Sequence, residues 1–311
     1  MEFSIRYCSL FTAAFVSAGL LQGEDQDKDA IIQWSAANWS PAVPTKNSSW
    51  FIGVAPKAVE TATGEPVTLK SGPEDYAGKV IHFDESNGLC LIETSEPILG
   101  LPVTKFAKMP LPDAGSKLHC WKPGSSCPTT VAGKEYSVRG EPLSSPLLKV
   151  RVADVEEFCH PGTPLVCGNG KLFGILTEVV SETTGEAHAI PASCLHKLLT
   201  EFERYRRTGK VWVGLVFEDR AKTPQVVQVR SGSPAEVAGL KSGDIILSIG
   251  AHEVPDLDDL TQTIHLLTAG DPVEVKILRG LKEVTLELIP EFADDELASN
   301  FGSRYPSPTL P

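Results

Sequence analysis

The chain has 311 residues, a formal net charge of -12 and 22% charged residues. That length suggests about two domains, and so acidic a composition excludes general nucleic-acid binding, which needs a basic surface to meet the phosphates. The hydrophobic content of 41% is ordinary for a globular protein and supplies a core for each domain.

At the N-terminus, MEFSIRYCSLFTAAFVSAGLLQGEDQDKD sets Arg6 ahead of an apolar run from Tyr7 to Leu21, with small residues next and acid from Glu24. The order basic, apolar, small is that of a secretory signal peptide, assigned to residues 1–23. The run is about 15 residues, short of the roughly 20 that a membrane-spanning helix needs, and no later segment is expected to span a bilayer after signal cleavage. Export to a bacterial periplasm or beyond it is the expectation. Leaving Cys8 aside, Cys90, Cys120, Cys127, Cys159, Cys167 and Cys194 remain. An exported protein permits disulfides, and Cys120 with Cys127, or Cys159 with Cys167, are close enough in sequence to consider. The alternative is buried thiols acting as small apolar residues. Spacing such as CxxC is absent, so no metal site or cofactor is expected.

From Trp50 to Thr177 short apolar runs alternate with Gly, Pro, Asn and Ser: KVIHF, GLCLIE, KLHCW, LLKVRV, TPLVCG, KLFGILTEVV. Many short strands between turn signals predict an all-β barrel or sandwich, and Asn169-Gly170 predicts a hairpin. Ser144-Ser145 precede a proline and read as turn residues. The period then changes. Leu195, Leu198, Leu199, Phe202 and Tyr205 make one apolar helix face, with Ser193 as the candidate N-cap and an end near Thr208-Gly209. RYRR at 204–207 reads as the solvated face of that helix. From about Val211 the order is strands (VWVGLVF, QVVQVR), a small helix (PAEVAG), a strand (DIILSIG), a longer helix (LDDLTQTIHLL) and two strands (VEVKILR, EVTLELIP). The acidic, then Ser- and Pro-rich tail at 291–311 is expected to be disordered.

The run GSPAEVAGLKSGDIILSIGAHEV, Gly232 to Val254, resembles a PDZ domain of the kind found in HtrA/Deg proteases, over about Val211 to Pro290. In that fold a ligand's C-terminal segment adds to an exposed strand edge and its carboxylate sits among backbone N–H groups. The matching loop is Trp212-Val213-Gly214-Leu215, with Leu215, Val216 and Phe217 as the pairing strand. A helix starting near Leu257 would bring Leu260, Ile264 and Leu267 to the groove, the alternative being that these are plain core.

The first module resembles the trypsin-like domain of the same family. Cys159 to Thr177, CHPGTPLVCGNGKLFGILT, runs without gaps against the family's GNSGGPLVN, hairpin and GI-x-T strand, and His188-Ala189-Ile190-Pro191 fits its F-A-I-P. That placement puts Pro161 at the nucleophile position. Proline has neither a nucleophilic side chain nor an N–H for the oxyanion hole. The family's D-L-A-L-L strand matches Asn87-Gly88-Leu89-Cys90-Leu91-Ile92, so the aspartate position holds Gly88. No histidine lies between Gln22 and Ile81, where the family's T-A-x-H-V motif would fall, and His82 is too near Gly88 to be the base.

The resemblance therefore implies a mainly β protein, a degenerate trypsin-like double β-barrel over 24–206 with a C-terminal linker helix, followed by a PDZ domain over 207–290. It implies a pseudoprotease with C-terminal or unfolded polypeptide segments as partners, acting as scaffold, chaperone-like factor or regulator of an active relative. Family members commonly form trimers, which makes a homo-oligomer or a mixed trimer a further expectation. Two alternatives remain: an active serine-type or atypical cysteine endopeptidase using Cys159 and His160, and a structural subunit whose PDZ domain meets no free peptide. Adjacent side chains on an extended segment point apart, which argues against a Cys159–His160 pair.

Overall fold

The computed structural model describes residues 30–293 apart from 36–38, 46–48, 57–58, 85–87, 102–103, 108–111, 123, 139–140 and 219–221. The expected signal at 1–23 and all but the first residues of the expected tail lie outside the described residues.

The first barrel closes in the order β1 (Ala30–Gln33), β2 (Trp39–Pro44), β3 (Trp50–Val54), β6 (Leu89–Thr94), β5 (Glu74–Asp84), β4 (Pro66–Ser71). Its central strands read as near-continuous apolar runs because they are covered on both faces: WFIGV in β3 is buried throughout. β4 alternates, with Val67 and Leu69 inward. Closure draws backbones together where side chains are missing. A Cβ on Gly53 would lie 2.1 Å from Ile32 Cδ1. Residues 24–49, part of the expected barrel, supply β1 and β2. Two prolines in β2 masked the strand, although Trp39 to Pro44 pairs with both neighbours.

The second barrel closes in the order β10 (Pro164–Val166), β11 (Leu172–Ser181), β12 (Glu186–Pro191), β9 (Glu141–Val152), β8 (Ser125–Val138), β7 (Lys117–Lys122). The β10–β11 hairpin predicted from Asn169-Gly170 is present. Its turn is longer than a two-residue one: Gly170 takes φ 74°, and Cys167 N–H donates to Lys171 O at 3.0 Å. Ser144 and Ser145, read as turn residues, fall within β9.

Helix α2 (Ala192–Tyr205) leaves β12 directly. Pro191 is its N-cap and makes no side-chain cap bond, so Ser193 is not the cap: the strand runs up to Pro191, whose fixed φ suits a helix start. The helix ends earlier than expected, at Arg206 with φ 54°, whose N–H donates to Phe202 O. Its apolar face, Leu195, Leu198 and Phe202, packs with Ile52 and Leu91 of the first barrel and Ile175 and Ile190 of the second. One helix thus seals the seam between the barrels. The 204–207 run is exposed but not merely solvated. Arg204 meets Asp271 at 2.6 Å, Arg206 lies over Trp50 and Arg207 over Phe292.

The third unit is built from β13 (Val211–Trp212), β14 (Leu215–Phe217), β15 (Val226–Val229), α3 (Pro234–Val237), β16 (Ile245–Ile249), β17 (His252–Glu253), α4 (Leu257–Leu266), β18 (Val273–Arg279), β19 (Lys282–Leu288) and β20 (Glu291–Phe292). Asp256 caps α4 through its side chain, as Ser233 caps α3. β17, β16, β18 and β19 form one sheet, and β14 pairs with β15. β20 pairs with β13, Val211 opposite Phe292, which carries regular structure past Pro290, where the tail was expected to begin.

Helix α2 also holds this unit. Glu201 is fully buried, and its carboxylate accepts from Gly209 N at 3.3 Å and Ala269 N at 3.2 Å. Lys197 Nζ lies 3.3 Å from Glu201 and donates to Leu267 O at 2.7 Å. Tyr205 Oη donates to Ala269 O at 3.2 Å. Across the seam, Thr208 Oγ1 and His82 Nε2 are 2.9 Å apart. Among the described residues no helix is long and apolar enough to cross a membrane.

Candidate functional site

The first candidate place is the loop between α1 (Val155–Phe158) and β10. The short helix is capped by Asp154, whose carboxylate accepts from Glu157 N. The chain then makes one tight turn after another: Cys159 N–H donates to Val155 O, His160 N–H to Phe158 O, Gly162 N–H to Leu176 O at 2.7 Å, and Thr163 N–H to His160 O. Pro161 has no N–H to offer. Every N–H from Cys159 to Thr163 is therefore either absent or spent within the protein, and none is presented as a pair to an anion. Gly162 has φ 91°, and a Cβ there would meet Pro41 O of β2 at 2.8 Å. The loop is seated against the first barrel.

Cys159 does not stand where a nucleophile is needed. Its side chain is in the apolar core of the second barrel, and burial, with Cys127 and Glu182 nearby, pushes its thiol pKa up. A protonated, buried thiol is a poor nucleophile. His160 turns back, its Nε2 3.0 Å from Glu156 O. His119 lies in β7 opposite Pro128. His188 sits in β12 beside Glu178, 3.8 Å away. His196 is on α2, 3.4 Å from Thr200 Oγ1. His82 is used at the seam, stacked near Phe202. Gly88 begins the approach to β6 at φ 66°, the left-handed region that favours glycine, and its carbonyl accepts from Ala55 N. Among the described residues no group of His, Cys, Asp and Glu could hold a metal ion.

The second place is the groove between β14 and α4. β14 pairs only with β15 among the described strands, leaving its other edge open to strand addition. Just before it, Gly214 takes φ 80° and stands so close to Ser233 that a Cβ would lie 2.1 Å from Ser233 Cβ. The Gly214 and Val213 carbonyls are occupied, accepting from Arg230 N and Ala235 N. The loop's N–H side is what remains for a carboxylate. Leu215, Phe217, Ile264 and Leu267 are half-buried at the rim of the apolar core. Trp212 and Val216 are also half-buried. Leu260, expected to line the groove, is 0% exposed, and Val213 is 5% exposed. Both belong to the core beneath, because α4 turns that face toward Ile246 and Ile277.

His265, which sequence reading passed over, lies on α4 next to Ile264. Burial, then the Lys197 and Lys210 charges, pushes its pKa down to about 4. Its folded value is below the unfolded one of about 6.5, so its neutral form supports stability fully above that pH, and the contribution is lost as pH falls from 6.5 toward 4. His265→Gln should flatten the acid limb of a denaturation-versus-pH profile in that window by about 3 kcal/mol. An unchanged limb would rule out His265 as its source.

The geometry is that of two closed six-stranded barrels followed by a domain with an open strand edge beside a helix. Residues 211–289 match the PDZ domain family. The chain is 24% identical over 239 residues to a probable periplasmic serine endoprotease DegP-like of Marinomonas sp. (strain MWYL1), covering 70% of this chain and 50% of that protein. It is 29% identical over 164 residues to the serine protease Do-like HtrA of Bacillus subtilis (strain 168), covering 45% of this chain and 36% of that one. The chain thus spans half or less of the length of these relatives. Among solved structures, the HtrA-type protease AlgW with tripeptide superposes with a TM-score of 0.54 at 16% identity, covering 87% of this chain and 95% of that one. AlgW with decapeptide gives 0.51 at 14% identity, covering 87% and 96%. The chain is HtrA/Deg-like, mainly β, with a trypsin-like double barrel and a PDZ domain.

Proposed function

We propose that this protein is an exported pseudoprotease whose PDZ domain binds C-terminal or unfolded peptide segments, serving as a scaffold, chaperone-like factor or regulator of proteolysis. The observation that carries the reading is Pro161. It stands in the loop that resembles a nucleophile loop, in a turn whose remaining N–H groups already have acceptors inside the protein. Gly88 at the aspartate position and the lack of a histidine from Gln22 to Ile81 support it from two other stretches. Residues 1–23 are proposed as the export signal and the bacterial envelope as the destination, in keeping with the periplasmic designation of the Marinomonas relative. Peptide contact is assigned to Trp212, Val213, Gly214, Leu215, Val216 and Phe217, with Ile264 and Leu267 across the groove and Leu260 supporting them from beneath. Trimerisation, with itself or with an active relative, is proposed as the way such a chain would act on proteolysis.

The relatives carry the names of serine proteases, which makes activity the reading to test. Purified protein should leave unfolded casein intact, with or without a hydrophobic C-terminal peptide. Pro161→Ser should leave it equally intact, because a lone hydroxyl lacks a base and an oxyanion site, and removal of such partners costs several orders of magnitude. Cleavage that follows the protein through purification and disappears in Cys159→Ala would establish the endopeptidase reading instead. A peptide that binds with a free C-terminus and not when amidated separates peptide recognition from a purely structural role.

A further inference from the structure

The second barrel holds a cluster of thiols that the reading above does not use. Cys120 in β7 and Cys127 in β8 are directly opposite one another in the antiparallel register. Directly opposite residues project to the same face and have Cα atoms about 4.5–5.5 Å apart. A disulfide needs roughly 4.4–6.8 Å. Both thiols are buried, at 0% and 3% exposure, in the same core cluster as Cys159. Each sulfur already takes a hydrogen bond: Thr129 Oγ1 donates to Cys120 Sγ at 3.3 Å, and Asp154 N to Cys127 Sγ at 3.1 Å. Cys120 also pairs with Leu165 of β10, the strand that leaves the Pro161 loop.

We propose that Cys120 and Cys127 are the partners of a cross-strand disulfide that closes as the barrel folds in an oxidising compartment. With a low-molecular-weight disulfide such as oxidised glutathione as oxidant, one thiolate attacks it, forming a mixed disulfide and releasing one glutathione. The second thiolate then attacks the protein sulfur of that mixed disulfide and releases the other glutathione. Two protein thiols become one disulfide, and one oxidised glutathione becomes two reduced ones. The bond forms during folding and not after it, because burial in the folded chain pushes the Cys120 thiol up to about 12, leaving almost no thiolate. Closure ties β7, which pairs with β10 after the Pro161 loop, to its neighbour β8.

The test is refolding of the denatured, reduced full chain in a glutathione buffer, followed by blocking of free thiols in denaturant and tryptic mapping. Trypsin does not cut before proline, so Lys122-Pro123 survives and the single peptide 118–134 carries both cysteines, while Cys159 and Cys167 share peptide 152–171. The expected result is peptide 118–134 unblocked and lighter by two hydrogens. The same treatment of the folded, reduced protein should close the bond at least roughly tenfold more slowly. Reductant should lower the Tm of the oxidised protein by about 5 °C. Cys159→Ala should keep the modification, and Cys127→Ala should abolish both it and the reductant effect. Two blocked thiols in 118–134 after refolding, or a link from 118–134 to 152–171, would overturn the proposal. Because the oxidant is supplied in vitro, either result stands whether or not the protein is exported.

Discussion

Glu201→Ala on α2 should be strongly destabilising, costing about 3–5 kcal/mol. The carboxylate is fully buried and serves Gly209 N, Ala269 N and the Lys197 ammonium together. Its removal leaves two N–H groups without their acceptor and a buried cation without its counter-charge. Burial already lowers the Lys197 pKa, while Glu201 opposes that shift. The loss should be local before it is global. Residues 267–271 and the C-terminal end of α4 should gain amide exchange in the variant while the barrel strands keep their protection, and the urea midpoint should fall. A double variant, Lys197→Met with Glu201→Leu, should recover most of the loss, because an apolar pair of similar volume leaves no charge buried. Uniform exchange across all three units, or a double variant no better than the single, would show that the pair does not hold the PDZ domain to α2.

The second large effect is expected at Gly214. Its φ of 80° already strains any L residue, and a new Cβ would overlap Ser233 Cβ at 2.1 Å and Oγ at 2.6 Å. Ser233 cannot retreat cheaply, since its hydroxyl caps α3 through Glu236 N. Gly214→Val should therefore displace the Trp212–Leu215 loop and weaken binding of a fluorescent hydrophobic C-terminal peptide by roughly 100-fold or more, about 2.7 kcal/mol. Gly232→Ala is the control. It has a similar φ of 71° but nothing within 4 Å of the new Cβ, so it should pay backbone strain of about 1–2 kcal/mol and leave peptide affinity near wild type. Equal loss in both variants would point to general destabilisation of the PDZ domain, and unchanged affinity in Gly214→Val would move the ligand away from this loop.

Several elements are legible in the sequence. In α4 the helix runs where the LDDLTQTIHLL pattern places it, and Asp256 caps it. The strands VEVKILR and EVTLELIP alternate with the period of two that a one-sided sheet demands, and they form β18 and β19. By contrast β1 and β2 were not readable. β1 is only four residues long and β2 carries two prolines, and both form where the rest of the first barrel offers them paired edges. Leu260 illustrates the same limit inside a correct helix. A heptad-like spacing finds the apolar face but cannot divide it between core and groove rim, which depends on what stands opposite.

What the sequence by itself determined is residue identity and the PDZ module. That 161 is a proline, that 88 is a glycine and that no histidine lies between Gln22 and Ile81 are statements about side-chain identity, which no fold alters. The PDZ run is local, its turns and caps written in adjacent residues. Only the tertiary structure decided where the spare groups went: Cys159 into the core, Cys120 opposite Cys127, His82 to Thr208, and Glu201 beneath Ala269. Each is a contact between residues brought together by barrel closure or by docking of the PDZ domain, and the free energy of such contacts comes from burial and pairing that adjacent sequence does not specify.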